Sequence, residues 1–141
     1  MTKLILLLAH KVRQIYWRVV RPTTFGVKVM VRYKSEILLV KHSYDRSWNL
    51  PGGAYRPKRE TPESASKREI FEELGIRLSK LRLIDSGVSV KEFKKDHIKI
   101  YLAVFSSKPD LTLGHELVAA QWFRQDRLPQ QTASIVKQIK N

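Results

Sequence analysis

The chain contains no cysteine, and this absence excludes three kinds of chemistry. Among its 141 residues there is no thiol to form a disulfide, to bind a metal or to act as a nucleophile. Disulfides are typical of oxidising compartments, whereas a chain without them suits a reducing one. We therefore expect a cytoplasmic protein.

Acidic residues are scarce, which leaves the chain strongly basic. There are 13 Asp and Glu residues against 27 Lys and Arg residues, so the formal net charge is +14. Residues 1–34 hold eight Lys and Arg residues and no acid at all. Such a charge attracts polyanions and raises their encounter rate. Nucleotides, RNA, DNA and anionic membranes all qualify, and charge alone does not choose among them.

Long hydrophobic runs are also missing. The apolar run at residues 4–9 is too short to cross a membrane, and no convincing small-residue cleavage site follows it. Residues 3–19 predict a basic amphipathic helix, and we expect segment 1–22 to pack on a domain formed by residues 23–141. A membrane-surface helix, a nucleic-acid contact and an oligomer interface are the alternatives. The apolar residues at helical spacing are Leu4, Leu8, Val12, Ile15 and Val19.

The acid that the chain does have is concentrated in one stretch. Five of the 13 carboxylates fall within the fourteen residues 60–73. Thr61 is a good N-cap, Pro62 suits the first helical position, and Gly75 suits the residue just past a helix end. These signals predict a helix over residues 62–74. The five acidic residues are Glu60, Glu63, Glu69, Glu72 and Glu73.

Three of these glutamates share one face of the predicted helix. Glu69, Glu72 and Glu73 stand at positions i, i+3 and i+4, which lie on one side of an α-helix. Like charges at this spacing repel one another, and Arg68 offsets part of the repulsion by reaching Glu72. One interpretation is a solvated acidic face. The other is an oxygen-rich site for a hard divalent cation such as Mg²⁺.

The same residues resemble a family motif. The Nudix box of MutT-like hydrolases reads Gly, five residues, Glu, seven residues, then Arg-Glu-apolar-x-Glu-Glu-x-Gly-apolar, and residues 60–76 match every specified position. The Trp-Asn-Leu-Pro-Gly-Gly at residues 48–53 also resembles the family pattern upstream of the box. The departure is in the loop, where six residues separate Gly53 from Glu60 and basic residues replace the family's acids. We interpret this as a one-residue insertion with altered charge.

The resemblance implies an α/β fold of the Nudix type, an α/β/α sandwich around a mixed β-sheet. Strands on both sides of the central helix, with a further helix at each end, are consistent with that architecture. The apolar patterns predict strands at residues 23–32, 37–40, 81–92, 98–105 and 116–123, and a last helix at residues 129–140.

The resemblance also implies the chemistry. Nudix hydrolases cleave pyrophosphate links with Mg²⁺ or Mn²⁺, so we expect the substrate to be a nucleoside triphosphate or a nucleoside diphosphate derivative. The alternatives are the 5′ end of RNA, and a non-catalytic module that binds nucleotides or nucleic acid. Glu60 and Arg68 are expected to orient the helix and its ligands. The implied metal ligands are Glu69, Glu72, Glu73 and the carbonyl of Gly52 or Gly53. The implied catalytic residues are Glu69, Glu72, Glu73 and Glu116, with Glu69, Glu73 or Glu116 as the general base.

Residues around the glycine turn predict where the substrate binds. Cationic side chains beside a metal site can hold phosphates, and Tyr44 or Tyr55 can stack on a base. The four histidines are predicted to be surface or internally satisfied residues with no catalytic role; they are His10, His42, His97 and His115. The predicted phosphate-binding residues are Arg46, Arg56, Lys58 and Arg59.

Overall fold

The computed structural model of the protein describes residues 2–20, 23–91 and 94–139, which form three helices and six strands. The helices are α1 (Thr2–Val20), α2 (Pro62–Leu74) and α3 (Ser134–Gln138). The strands are β1 (Thr23–Tyr33), β2 (Glu36–His42), β3 (Gly52–Ala54), β4 (Arg82–Lys91), β5 (Lys94–Phe105) and β6 (Leu117–Arg124).

The six strands form one mixed sheet in the order β4-β5-β1-β2-β6, with β3 paired to β1 off this path. The β1–β5 pair is parallel, and the other pairs are antiparallel. Parallel neighbours need a long crossover connection, and here the intervening chain carries α2. The predicted mixed sheet is confirmed.

Both faces of this sheet are covered, because successive residues of a strand point to opposite sides. Val29 and Val31 of β1 pack in one core with Ile70 of α2. Met30 lies between them in sequence and packs in a second core with Val136 of α3. The result is the α/β/α sandwich that the sequence predicts.

A split in the sheet places the glycine turn. Strand β1 pairs with β2 only at its end, from Arg32 to Tyr33, and pairs with β3 nearer its start. In the gap, the backbone amide of Val29 donates to the carbonyl of Pro51 at 2.9 Å. The glycine turn therefore lies beside β1 in the gap between β1 and β2, and α2 contacts both β1 and β3.

Helix α2 begins and ends where the sequence predicts. The hydroxyl of Thr61 accepts a hydrogen bond from the Ser64 amide at 3.1 Å, and Pro62 occupies the first turn. Gly75 adopts the left-handed conformation with φ of 69°, and its amide donates to the carbonyl of Phe71. A residue with a Cβ is strained in that conformation, so Gly75 stops the helix there.

Helix α3 is shorter than predicted, beginning at Ser134 and not at residue 129. The reason is a set of long-range backbone bonds. Trp48 donates its amide to the carbonyl of Gln131 at 2.7 Å and accepts the amide of Ala133 at 2.8 Å. These bonds hold the preceding residues extended beside Trp48. The predicted end of this helix at residue 140 lies outside the described residues.

Helix α1 forms as predicted, but none of its described side chains is buried against the domain. Every side chain that the structure describes in α1 is exposed, from Thr2 to Tyr16 and at Val19. The apolar stripe of this helix therefore faces solvent. Among the described residues, no helix is both long and apolar enough to cross a membrane.

Candidate active site

The three glutamates of α2 line a single cleft of about 330 Å³. Glu69, Glu72 and Glu73 form one wall, and the loop before β6 forms the other. Glu116 lies in that loop wall, so the structure brings all four predicted catalytic carboxylates to one place. The other lining residues are Gly114, His115 and Leu117.

Arg68 holds two of these carboxylates and a third outside the cleft. Its Nη1 donates to Glu69 Oε1 at 2.9 Å and to Glu72 Oε2 at 3.2 Å. Its other side forms a two-point pair with Glu60, through Nε at 3.0 Å and Nη2 at 2.6 Å. A planar guanidinium anchored at two points has little freedom left. Arg68 thus links Glu60 to Glu69 and Glu72, and its orienting role stays a prediction.

Glu73 ties the helix to the sheet and to the glycine turn. Its carboxylate is buried, with Oε1 lying 3.1 Å from His42 Nε2 and Oε2 accepting the Gly52 amide at 3.2 Å. His42, at the end of β2, is buried as well. His42 is a satisfied residue, as predicted, but its partner is a site carboxylate, which the sequence does not indicate. No local signal indicates this, because the two residues lie 31 positions apart.

The glycine turn approaches Glu69 so closely that no side chain fits between them. A Cβ added to Gly53 would lie 2.5 Å from Cδ of Glu69 and 2.6 Å from its Oε2. Such a separation is shorter than any ordinary contact, so the carboxylate would have to move. Glycine at position 53 thus lets the backbone of β3 lie directly against the carboxylate.

Burial and charge shift the pKa values of two of these acids in opposite directions. Burial raises the pKa of Glu69, although the Arg68 hydrogen bond opposes the shift. The hydrogen bond from Arg68 lowers the pKa of Glu60, because it stabilises the charged carboxylate. A nearby positive charge would therefore stabilise the charged form of Glu69, whereas the charge of Glu60 is already balanced by Arg68.

The donor set fits a hard divalent cation. Among the described residues, no three acidic or histidine side chains already stand as a finished metal cage. However, Arg68 engages only one oxygen each of Glu69 and Glu72, and their second oxygens have no hydrogen-bond partner in the described ranges. Free carboxylate oxygens beside a closely approaching backbone are what Mg²⁺ or Mn²⁺ binds.

A cavity of about 230 Å³ lies on the other side of the glycine turn and includes Gly53 in its wall. Lys28 and Asp96 are its charged residues. The Lys28 ammonium donates to the Leu50 carbonyl at 3.3 Å, and Thr24 donates to Asp96 Oδ1 at 2.9 Å. Burial lowers the pKa of Lys28. Sequence reasoning missed both charged residues, and the only signal for Lys28 was a charge within an apolar strand.

A larger cavity, of about 640 Å³, contains most of the predicted substrate-binding residues. Tyr55 lies in its wall and packs edge-on against Phe25, with ring centroids 6.0 Å apart. Arg46 is the exception, since it is exposed in the loop after β2 and lines none of these three cavities. The basic residues that line the cavity are Arg56, Lys58 and Arg59.

Comparison with known proteins agrees with the fold and the motif. A family model described as the NUDIX domain matches residues 21–140. A "MutT-like protein" of Streptomyces ambofaciens is 30% identical over 110 residues, covering 76% of this chain and 67% of that protein. A MutT NUDIX hydrolase from Burkholderia pseudomallei has a crystal structure that superposes with a TM-score of 0.73 at 27% identity, covering 82% of this chain and 93% of the other.

Similarity also extends to longer proteins. The "NAD-capped RNA hydrolase NudC" of Haemophilus influenzae is 33% identical over 108 residues, which cover 72% of this chain but only 39% of that protein. The chain thus spans well under half the length of that relative. With the motif, the sandwich fold and the family model in agreement, the chain belongs to the Nudix family, whose members are hydrolases acting on pyrophosphate bonds.

Proposed function

We propose that this protein is a divalent-metal-dependent pyrophosphohydrolase that cleaves the diphosphate linkage of a nucleoside triphosphate or a nucleoside diphosphate derivative. One observation carries the proposal: the carboxylates of Glu69, Glu72, Glu73 and Glu116 line a single cleft. Four acids in one cleft of a protein with a net charge of +14 are not a general surface property. They create a local negative charge, which a divalent cation needs.

Glu69 and Glu72 would hold Mg²⁺ or Mn²⁺ through the oxygens that Arg68 leaves free. Glu73 and the carbonyl of Gly53 are the further proposed ligands. When bound, the cation supplies neutralisation of the diphosphate charge and makes water a stronger nucleophile near neutral pH.

The other residues of the cleft would position these groups and move the proton. Arg68 keeps Glu69 and Glu72 facing the cleft, while Glu73 holds the glycine turn against α2. We assign the general base to Glu116. Its carboxylate has no hydrogen bond or ion pair among the described residues, whereas both oxygens of Glu73 are engaged. A general base must be within reach of the attacking water and free to accept its proton.

The remainder of the substrate would lie in the two cavities beside the glycine turn. Gly53 lies between Glu69 and the smaller cavity. When a diphosphate is bound at the carboxylates, a group attached to it can therefore enter this cavity. Lys28 and Asp96 offer that group one donor and one acceptor. The basic rim of the larger cavity would hold phosphates, with Tyr55 as a surface for stacking.

Turnover of a defined panel tests this function. The purified protein is incubated with Mg²⁺ or Mn²⁺ and nucleoside triphosphates, nucleoside diphosphate derivatives or 5′-triphosphorylated RNA, and the products are separated. We expect hydrolysis at a P–O–P link of at least one small substrate. If the protein binds these substrates but does not hydrolyse them with either metal, the result would contradict the proposed enzymatic activity. It would support the non-catalytic binding module.

The 5′ end of RNA is the second proposed substrate. It is favoured by the similarity to proteins named NAD-capped RNA hydrolases, at 28–33% identity, and by the net charge of +14. Salt separates the two substrates. A protein that neutralises several phosphates of a single strand loses affinity steeply as salt rises, with a slope of about −0.7 per phosphate on logarithmic axes. We expect a shallow salt dependence of kcat/KM for a mononucleotide and a steep one for RNA.

A further inference from the structure

The apolar side of α1 is exposed wherever the structure describes its side chains, at residues 2–16 and 19. Val12 retains 64% of its surface accessible to solvent and Val19 retains 79%, values typical of residues that nothing covers. Patches of this kind on a soluble domain mark interaction sites. The other large apolar residues of α1 exposed by more than half are Leu4, Ile5, Leu6, Leu7, Leu8, Ile15 and Tyr16.

These side chains form a defined face of the helix. At about 100° per residue, the apolar residues fall in an arc of roughly 120° centred near Val12. Gln14 and Lys3 lie on the opposite side. The helix is thus apolar on one face and mainly polar on the other, although Leu6 and Leu7 lie on the polar side, at about 120° and 140° from Val12. The residues of the arc are Leu4, Ile5, Leu8, Val12, Ile15, Tyr16 and Val19.

The polar side of α1 carries charge of one sign only. The helix contains four Lys and Arg residues and no Asp or Glu, and the first 34 residues repeat this bias with eight cations and no acid. A helix that pairs with a second copy of itself normally balances its flanking charges across the interface. With no acid, α1 cannot do so, and two copies repel one another. The complementary partner is therefore anionic as well as apolar.

We propose that α1 binds the surface of an anionic lipid bilayer, lying in the plane of the interface. The apolar arc would enter the boundary between headgroups and acyl chains, while the cations face the lipid phosphates. Basic residues on an amphipathic helix are attracted to anionic leaflets, and each one near the surface adds to the affinity. This partner explains the exposed stripe and the absence of acid together.

The lack of native cysteine permits a direct test in the full chain. Val12→Cys and Gln14→Cys each introduce a single thiol on opposite faces of α1, to be labelled with an environment-sensitive fluorophore. The labelled proteins are titrated with vesicles of phosphatidylcholine, with or without phosphatidylglycerol. We expect the fluorescence at position 12 to rise several-fold with the anionic vesicles only, and that at position 14 to change little. Added salt should weaken the response.

A matched pair of charge variants separates insertion from simple attraction. Val12→Glu and Gln14→Glu change the charge equally, at exposed sites on opposite faces. In vesicle co-sedimentation we expect Val12→Glu to bind about tenfold more weakly than Gln14→Glu, because only Val12 loses an inserted apolar side chain. Equal binding by the two variants would overturn the proposal, since it would mean that charge alone holds the chain on the vesicle.

Two further outcomes would also overturn it. A concentration-dependent rise at position 12 without vesicles, together with a dimer in sedimentation, would identify a second copy of this chain as the partner. If the protein binds neutral and anionic vesicles equally, or binds neither, an anionic bilayer is not the partner of α1. None of these readouts depends on turnover, so failure of the proposed hydrolase activity leaves the test intact.

Discussion

Arg68 and Glu60 form a two-point ion pair, with an Nε–Oε2 distance of 3.0 Å and an Nη2–Oε1 distance of 2.6 Å. The pair joins the loop after β3 to the middle of α2. Because the same guanidinium donates to Glu69, the position of the loop and that of a site carboxylate are coupled. Changes at Glu60 should therefore reach the site through Arg68.

Glu60→Gln should reduce stability in a pH-dependent way. The Arg68 hydrogen bond lowers the pKa of Glu60 from its ordinary value of 4.5, so the folded state holds this proton less tightly than the unfolded state does. The pair's contribution is fully present above pH 4.5 and is lost as pH falls through the lower, folded-state pKa. We expect the variant to be less stable than the parent at pH 7 and equally stable in strong acid, by chemical denaturation.

Glu63→Gln is the control for that experiment. Glu63 is exposed on the same helix, and among the residues that the structure describes it forms an ion pair with Lys67 alone, at 3.9 Å. Surface pairs of this kind contribute about 0–1 kcal/mol. A Glu60→Gln variant whose stability matches that of Glu63→Gln at pH 7 would contradict the proposed link.

Glu72→Gln should abolish metal binding while keeping the fold. Glu72 is exposed and its only protein partner in the described ranges is Arg68, so its loss should change the free energy of unfolding by less than about 0.5 kcal/mol. We expect turnover to fall at least about 100-fold. If Mg²⁺ binds the folded protein at Glu72 and does not bind the unfolded chain, it should raise the Tm of the parent and of Glu63→Gln but not that of Glu72→Gln. Equal Mg²⁺ shifts in all three proteins would place the metal elsewhere.

Gly53→Ala should displace the Glu69 carboxylate. The new Cβ would meet Glu69 Cδ at 2.5 Å, and the atom that must move is at the end of a flexible side chain. We therefore expect a folded protein whose activity falls about 100-fold, since displacements near 1 Å cost that much in positioned sites.

Gly87→Ala is the matched control, because a Cβ there meets nothing within 4 Å. Its activity should equal that of the parent. Parental activity in Gly53→Ala, measured at saturating Mg²⁺, would show that the close approach at position 53 has no part in the site.

Lys28→Met should stabilise the fold and weaken substrate binding. Burial lowers the pKa of Lys28 from 10.5, so the charged ammonium costs stability below its folded-state pKa. That cost is relieved as pH rises through the folded value towards 10.5, and the variant's advantage should shrink in the same range. If Lys28 contacts substrate, KM should rise roughly tenfold with kcat little changed. A variant less stable than the parent at pH 7 would contradict this account.

Helix α2 and the alternating strands were predictable because their signals are local. Capping at Thr61 and Gly75 depends on residues three or four positions away, and the shared face of the glutamates follows from helical periodicity alone. The mixed sheet and the sandwich follow from the same patterns together with the family resemblance. Glu116 was a candidate catalytic residue from the family resemblance alone; the structure places it in the wall of the cleft that the α2 glutamates line, and its catalytic role stays a prediction.

The sequence by itself determined helices α1 and α2 and the acidic helix face, since each depends on neighbours within a few turns of helix. It also determined the excess of positive charge, which follows from composition alone. Tertiary structure decided the rest. The partner of Glu73 proved to be His42, the start of α3 was set by Trp48, and the stripe of α1 was left uncovered. Each of these depends on a residue, or an absence of one, far away in the chain. Local periodicity carries no information about such contacts, because they arise only when the layers of the fold pack together.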